Sequence, residues 1–188
     1  MRIVAGSARG RALAAPKSDD VIRPTADRVR ETIFNVLGQR CDGLTVLDLF
    51  AGTGALGLEA VSRGAVKAVL VDRGREALTL CRQNTEACRF QAQVEIVSGD
   101  ALATIASLGA QGRRFELVFA DPPYKLEVGA QVLEALDGAK LVDPGGVAVI
   151  ETGRDEALPE KIGRFEQIDA REFGMTRVVI FRLTGEEA

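Results

Sequence analysis

Val46-Leu47-Asp48-Leu49-Phe50-Ala51-Gly52-Thr53-Gly54-Ala55-Leu56-Gly57 is the stretch on which the fold of this 188-residue chain turns. An apolar run enters it, glycines interrupt it, and an alanine- and leucine-rich run leaves it. That is the pattern of a buried strand, a tight turn and a helix N-terminus, where backbone can approach a ligand closely. Gly52, Gly54 and Gly57 keep the G-x-G-x-x-G spacing, and Asp72 stands twenty positions after Gly52 at the end of the next apolar run. A dinucleotide site is therefore the first reading to weigh.

Asp48, four residues before Gly52, favours a different ligand. A pyrophosphate on the following helix N-terminus would meet like-charge repulsion from its carboxylate, whereas an ammonium group would be attracted. S-adenosylmethionine carries an ammonium group, offers a ribose diol from which Asp72 can accept, and has no phosphate. The plainer use of Asp48 is to cap the turn through backbone N–H groups. The stretch is read here as the floor of an S-adenosylmethionine site, with Asp48, Phe50, Ala51, Gly52 and Gly54 beneath the donor. Asp72 and Arg73 follow at the end of the next strand.

Composition bounds the alternatives. At 46% hydrophobic and 27% charged, the chain suits one globular domain with a real core, and disordered or fibrous classes are set aside. No apolar run approaches a membrane span, and Met1-Arg2-Ile3-Val4 does not open a signal peptide, so the cytoplasm is expected. Cys41, Cys81 and Cys88 are odd in number and form no C-x-x-C pair, which makes them packing residues. There is no histidine. Imidazole bases, histidine metal ligands and imidazole triads are thereby excluded, no metal is expected, and the chemistry should need little proton shuttling.

The net charge of −3 conceals an asymmetry. Residues 1–30 hold seven basic side chains against three acidic ones, a net +4, and the remainder carries −7. A basic appendage on an acidic body points to a polyanionic partner. Ile3-Val4-Ala5 and Ala12-Leu13-Ala14 flank Gly6-Ser7-Ala8-Arg9-Gly10, which predicts a β-hairpin presenting arginines. The expected organisation is a hairpin extension over residues 1–24 that contacts the polyanion and a main domain over 25–188. Arg2, Arg9, Arg11, Arg23 and Arg28 are the candidate phosphate contacts, giving salt-dependent and sequence-blind affinity. Thr25 is a candidate N-cap for a helix whose Val29, Ile33, Val36 and Leu37 share one face, with Gly38 as terminator.

From Leu44 onward apolar strands (near 44–49, 66–71, 94–98, 115–120 and 146–151) alternate with helical stretches (near 55–63, 74–89, 101–108 and 126–138). Such alternation demands a mostly parallel sheet with crossovers. Phe165–Phe173 and Met175–Leu183 are separated only by Gly174, too close for a crossover helix, so the last strand should run antiparallel. This strand plan resembles that of class I S-adenosylmethionine-dependent methyltransferases: an α/β, Rossmann-like, mostly parallel seven-stranded sheet with an antiparallel last strand. Ligands of such sheets sit beyond the carboxyl ends of the strands, where Asp48, Asp72, Asp100 and Asp121 all fall. By that resemblance, Asp100 and the Ala101 amide meet the adenine ring. As a bare residue, Asp100 is also a plausible helix N-cap.

Asp121-Pro122-Pro123-Tyr124 resembles the (D/N/S)-P-P-(Y/F) motif of methyltransferases that modify an exocyclic amine of a base. Two prolines stiffen a turn and cannot donate, leaving the Pro122 carbonyl and the Asp121 carboxylate as acceptors for an NH₂ group. Tyr124 can stack on a base swung out of its helix or loop. Catalysis would then rest on alignment and on acceptors for positive charge growing at nitrogen. The same loop alone could be a Pro-Pro turn with an Asp cap, but here it follows Asp48 by about 70 positions.

Arg2-Ile3-Val4-Ala5-Gly6, Arg9-Gly10-Arg11, the run Arg23–Glu31 with Phe34-Asn35, the run Asp48–Ala60 and Asp121–Tyr124 are together similar to the RsmD family. That family comprises bacterial 16S ribosomal RNA guanine-N2 methyltransferases. The resemblance covers the first two thirds of the chain in order, the final third matching in strand pattern only. It implies methyl transfer from S-adenosylmethionine to guanine N2, on an assembling small ribosomal subunit, with the N-terminal hairpin gripping RNA. Three other enzymes were weighed. A DNA adenine or cytosine amino-methyltransferase would need a DNA-reading module, a protein-glutamine methyltransferase usually has Asn in place of Asp121, and a nicotinamide dehydrogenase would need a hydride-transfer site. A non-enzymatic RNA-binding module is the fourth alternative, and it would leave the glycine loop empty.

Overall fold

The computed structural model describes residues 1–16, 24–123 and 128–185, the side chains of 24–26 excepted. The chain forms two compact units, Met1–Gly99 and Asp100–Ala188. In the first, β1 (Thr45–Leu49), β2 (Lys67–Asp72) and β3 (Val94–Ser98) lie parallel with β2 in the middle, Val46 beside Ala68 and Val69 beside Glu95. Parallel strands covered on both faces read as continuous apolar runs, and Val46, Leu47, Leu49 and Ala68–Val71 are fully buried. The crossovers are α2 (Ala55–Ser62) and α3 (Arg75–Cys88). Every turn of α2 is buried, whereas α3 buries one stripe, Leu78, Cys81, Thr85 and Cys88. All three cysteines are free and buried, and burial pushes the Cys41 and Cys81 thiols up to about 11 and about 12.

Helix α1 (Pro24–Val36) begins one residue before the expected Thr25 cap, with proline in the first turn, where its missing N–H costs nothing. Val29, Ile33 and Phe34 are its buried apolar residues among those described, while Val36 and Leu37 are half-buried. Gly38 follows the helix in the left-handed region, with φ of 87°.

The expected N-terminal hairpin is reduced to a single antiparallel bridge, Arg2 with Ala12. Turns at Gly6–Arg9 and Ala8–Arg11 shape its tip, the two arms exchange backbone bonds (Ile3 donates to the Arg11 carbonyl, Gly10 to Ile3 and Leu13 to Met1), and the first arm also bonds to α2. Val4 and Ala5 donate to the Glu59 carboxylate at 2.8 and 2.9 Å, Ser7 donates to the Ser62 carbonyl, and Ala8 donates to the Ser62 hydroxyl. A Cβ on Gly6 would stand 1.8 Å from the Ser62 carbonyl oxygen. The arm is therefore fastened along a helix.

The second unit runs α4 (Ala101–Ala110), β4 (Phe115–Ala120), α5 (Gly129–Gly138), β5 (Val142–Gly153), β6 (Lys161–Ile162), β7 (Phe165–Phe173) and β8 (Thr176–Leu183). β4 and β5 are parallel, with a register shift between Phe115 and Leu117. β8 pairs antiparallel with both β5 and β7. The architecture is α/β, a mostly parallel sheet with antiparallel C-terminal strands. Among the described residues the two-residue edge strand β6 brings the strands to eight, one beyond the seven expected. Phe115, Phe119, Phe165 and Phe181 form the centre of this unit's core.

Candidate active site

The turn after β1 makes three left-handed steps in five residues: Phe50 at φ 58°, Gly52 at 57° and Gly54 at 76°. Glycine tolerates this conformation, but phenylalanine is strained there, a cost of order 1–3 kcal/mol that surrounding structure must offset and that clusters at ligand sites. The surroundings are explicit. Ala51 donates to the Val71 carbonyl at 3.0 Å, and Gly52 donates to Asp72 Oδ2 at 2.9 Å. Gly54 donates to the Ala51 carbonyl at 2.7 Å, and Gly57 to Asp48 Oδ2 at 2.9 Å. The amides of all three motif glycines are thus taken within the chain.

Asp72 also accepts from Gly74 through Oδ1 at 2.8 Å, so it clamps the turns after both β1 and β2. Each carboxylate oxygen has more than one lone pair, and the half-buried side chain keeps acceptor capacity for a hydroxyl pair. Asp48 is only 2% exposed, which makes it a cap on the Gly57 amide and a source of negative potential beneath the loop. Arg73 is exposed beside Asp72. Gly57 has a packing role, since a Cβ there would lie 2.3 Å from Leu70 Cδ2.

Two α3 side chains that the sequence reading did not single out hold the loop from below. Cys81 donates from its sulfur to the Gly52 carbonyl at 3.3 Å. Asn84, 1% exposed, donates to the carbonyls of Thr53 and Ala14 at 2.9 and 3.0 Å and accepts from the Ala14 amide at 2.7 Å. One carboxamide therefore ties the glycine loop to the N-terminal arm.

Glu59 is the other unpredicted centre. It is fully buried, receives Arg63 Nε at 2.8 Å and Arg30 Nε at 3.3 Å, and also accepts the two arm amides. Arg30 continues to Asp27 at 2.8 Å and to the Arg2 carbonyl, and the Arg63 guanidinium stacks 4.6 Å from the Phe34 ring centroid. A lone carboxylate inside the apolar run Ala55–Val61 was the sequence signal, because a buried charge requires partners. Of the candidate RNA contacts, Arg2, Arg9, Arg11 and Arg28 are exposed, and Arg23 lies outside the described residues.

In the second unit, Asp100 caps α4, accepting from Leu102 and Ala103 through Oδ1 at 3.0 and 3.2 Å, and Ala101 is buried. Gly99 donates to the Asp72 carbonyl at 3.0 Å, so the chain leading into Asp100 is held at the end of β2. Asp121 follows the last residue of β4; Pro122 is buried, Pro123 exposed, and Tyr124 lies outside the described residues. Solvent reaches the Asp121 side chain, yet burial raises its carboxyl to about 6. Glu156, also unpredicted, accepts from the Gly129 amide at 3.2 Å and so fixes the start of the helix that follows this corner. Among the described residues there is no cluster of side chains suited to a metal ion, and no helix is long and apolar enough to cross a membrane.

The family described as "Conserved hypothetical protein 95" matches residues 1–182. A Bacillus subtilis protein named "Putative rRNA methyltransferase YlbH" is 34% identical over 98% of this chain and 100% of its own length. "Ribosomal RNA small subunit methyltransferase D" of Escherichia coli K12 is 33% identical over 85% of this chain and 78% of its own. The solved structure "Putative methyltransferase yhhF from Escherichia coli" superposes with a TM-score of 0.86 at 29% identity, covering 99% of both chains. The chain belongs to the family described as "Conserved hypothetical protein 95", the RsmD family.

Proposed function

We propose that this protein transfers a methyl group from S-adenosylmethionine to the exocyclic N2 amine of a guanine in small-subunit (16S) ribosomal RNA. One observation carries the choice of donor: the amides of Gly52, Gly54 and Gly57 are all occupied, two of them by carboxylates. A pyrophosphate would find neither free amides at these glycines nor a positive environment, which disfavours the dinucleotide reading. A phosphate-free cation suits an acidic floor. Asp72 would accept from the ribose diol, Asp48 would favour the ammonium end through the field beneath the loop, and Asp100 with Ala101 would meet the adenine.

Asp121 and the Pro122 carbonyl accept from the amine, drawing its lone pair out of conjugation. The nitrogen attacks the methyl carbon as the carbon–sulfur electrons return to sulfur, which leaves as a neutral thioether. The cationic nitrogen then gives up a proton, and a carboxylate raised to about 6 takes it more readily than an ordinary one. RNA as the macromolecular substrate is supported by the net +4 of residues 1–30, by the exposed arginines there and by the named relatives. The test pairs calorimetry with a transfer assay on small-subunit particles. Asp121→Asn should lower transfer at least a hundredfold while S-adenosylmethionine affinity stays within twofold. Binding of a nicotinamide dinucleotide in place of the sulfonium donor would refute the proposal.

A further inference from the structure

A cavity of about 730 Å³ opens between the N-terminal arm and α1, over a floor of Ile3 and Val4. Its charged lining is Arg2, Arg9 and Arg28, with Asp27 and Glu31. No residue of the 48–57 loop or the 121–123 corner lines it, so it is neither the donor site nor the methylation corner.

The convergence of its arginines sets this cavity apart. Arg30, Arg40, Arg63, Arg154, Arg164 and Arg171 each stand within 4 Å of a carboxylate. Arg2, Arg9 and Arg28 pair with none among the described residues, although the chain is acidic overall. Three guanidiniums that converge on one cavity form a site for an anion with several acceptor oxygens. The walls are also fixed in advance: Glu59 holds the Val4 and Ala5 amides, and Arg30 holds Asp27 and the Arg2 carbonyl. Glu31, exposed and facing the same cavity, would repel a bare anion and so selects a ligand that brings N–H or O–H donors as well. A nucleotide unit has both, and the volume lies in the range of pockets that take ligands of that size.

We infer that this cavity is a second RNA subsite holding one nucleotide other than the methylated one. Its phosphate lies against Arg2, Arg9 and Arg28, and its base or ribose donors face Glu31. The choice of RNA rests on the function proposed above. The intact protein should be titrated with a fluorescein-labelled single-stranded RNA at several salt concentrations, with calorimetry of S-adenosylmethionine as the folding control.

Arg9→Ala combined with Arg28→Ala should weaken RNA binding at least tenfold. It should also lower the slope of log affinity against log salt by about 1.4, the value for two lost single-strand phosphate contacts. Donor affinity should stay unchanged, and Arg40→Ala should alter RNA affinity less than twofold. Inorganic phosphate at matched ionic strength should not displace the RNA. An unaltered slope in the double variant, or displacement by inorganic phosphate, would overturn the subsite. The two readings also fail separately. Methyl transfer with unaltered KM in the double variant removes the subsite and leaves the function standing, while RNA binding here without methyl transfer does the reverse.

Discussion

Asp121 has a carboxyl raised to about 6 by desolvation, so one proton enters its stability and, under the proposed function, its chemistry. Folding favours its protonated form, so its contribution to stability is complete below the ordinary carboxylate range near 4 and is lost as pH rises through about 6. At neutral pH the charged form is retained at a cost to the fold. Asp121→Asn should therefore raise the thermal midpoint at pH 7.5 and have little effect at pH 4, as scanning calorimetry at both pH values would show. Transfer by the unmodified protein should fall below an apparent pKa near 6, and a limb near 4 would contradict the shift. Gly57 shows a residue whose spacing was legible in the sequence while its reason was not. The G-x-G-x-x-G pattern placed it near a ligand, yet what excludes a side chain is Leu70, fully buried on β2. Gly57→Ala should cost about 1–3 kcal/mol in urea unfolding by overpacking that contact.

Among the elements, α2 joins the arm, α1 and the donor loop. Its N-terminus receives the loop and its middle carries Glu59, on which two guanidiniums and two amides converge. Glu59→Gln removes the charge that balances buried Arg30 and Arg63 and should cost about 3–5 kcal/mol, read as a lower urea midpoint. Helix α3 acts through Asn84. Asn84→Ala strands buried groups at Ala14 and Thr53, and should weaken S-adenosylmethionine binding several-fold by calorimetry; an unchanged affinity would show that the loop does not depend on this tie. The parallel strands were legible because each is a continuous apolar run. The way the hairpin is fastened was not legible, because its amides also bond to Glu59 and Ser62 some 55 residues away, a pairing that alternation within residues 2–13 cannot reveal. Cys81, Asn84 and Glu156 were hidden for the same reason, each serving a backbone group distant in sequence.

The whole molecule carries −3 and is proposed to act on a polyanion, so association must depend on where its charge lies. The +4 of residues 1–30 provides that attraction, and the −7 elsewhere disfavours non-specific coating of RNA. Fold class was legible at this scale from strand alternation. The identity of the acceptor nucleotide leaves no trace in composition or spacing. The most direct test supplies labelled S-adenosylmethionine with small ribosomal particles from cells lacking the activity, and with the same RNA stripped of protein, followed by nucleoside analysis. The account expects label in N2-methylguanosine at one position, with the assembling particle the better substrate, and none with Asp121→Asn. Label in adenine, cytosine or protein, or transfer undiminished by Asp121→Asn, would contradict it.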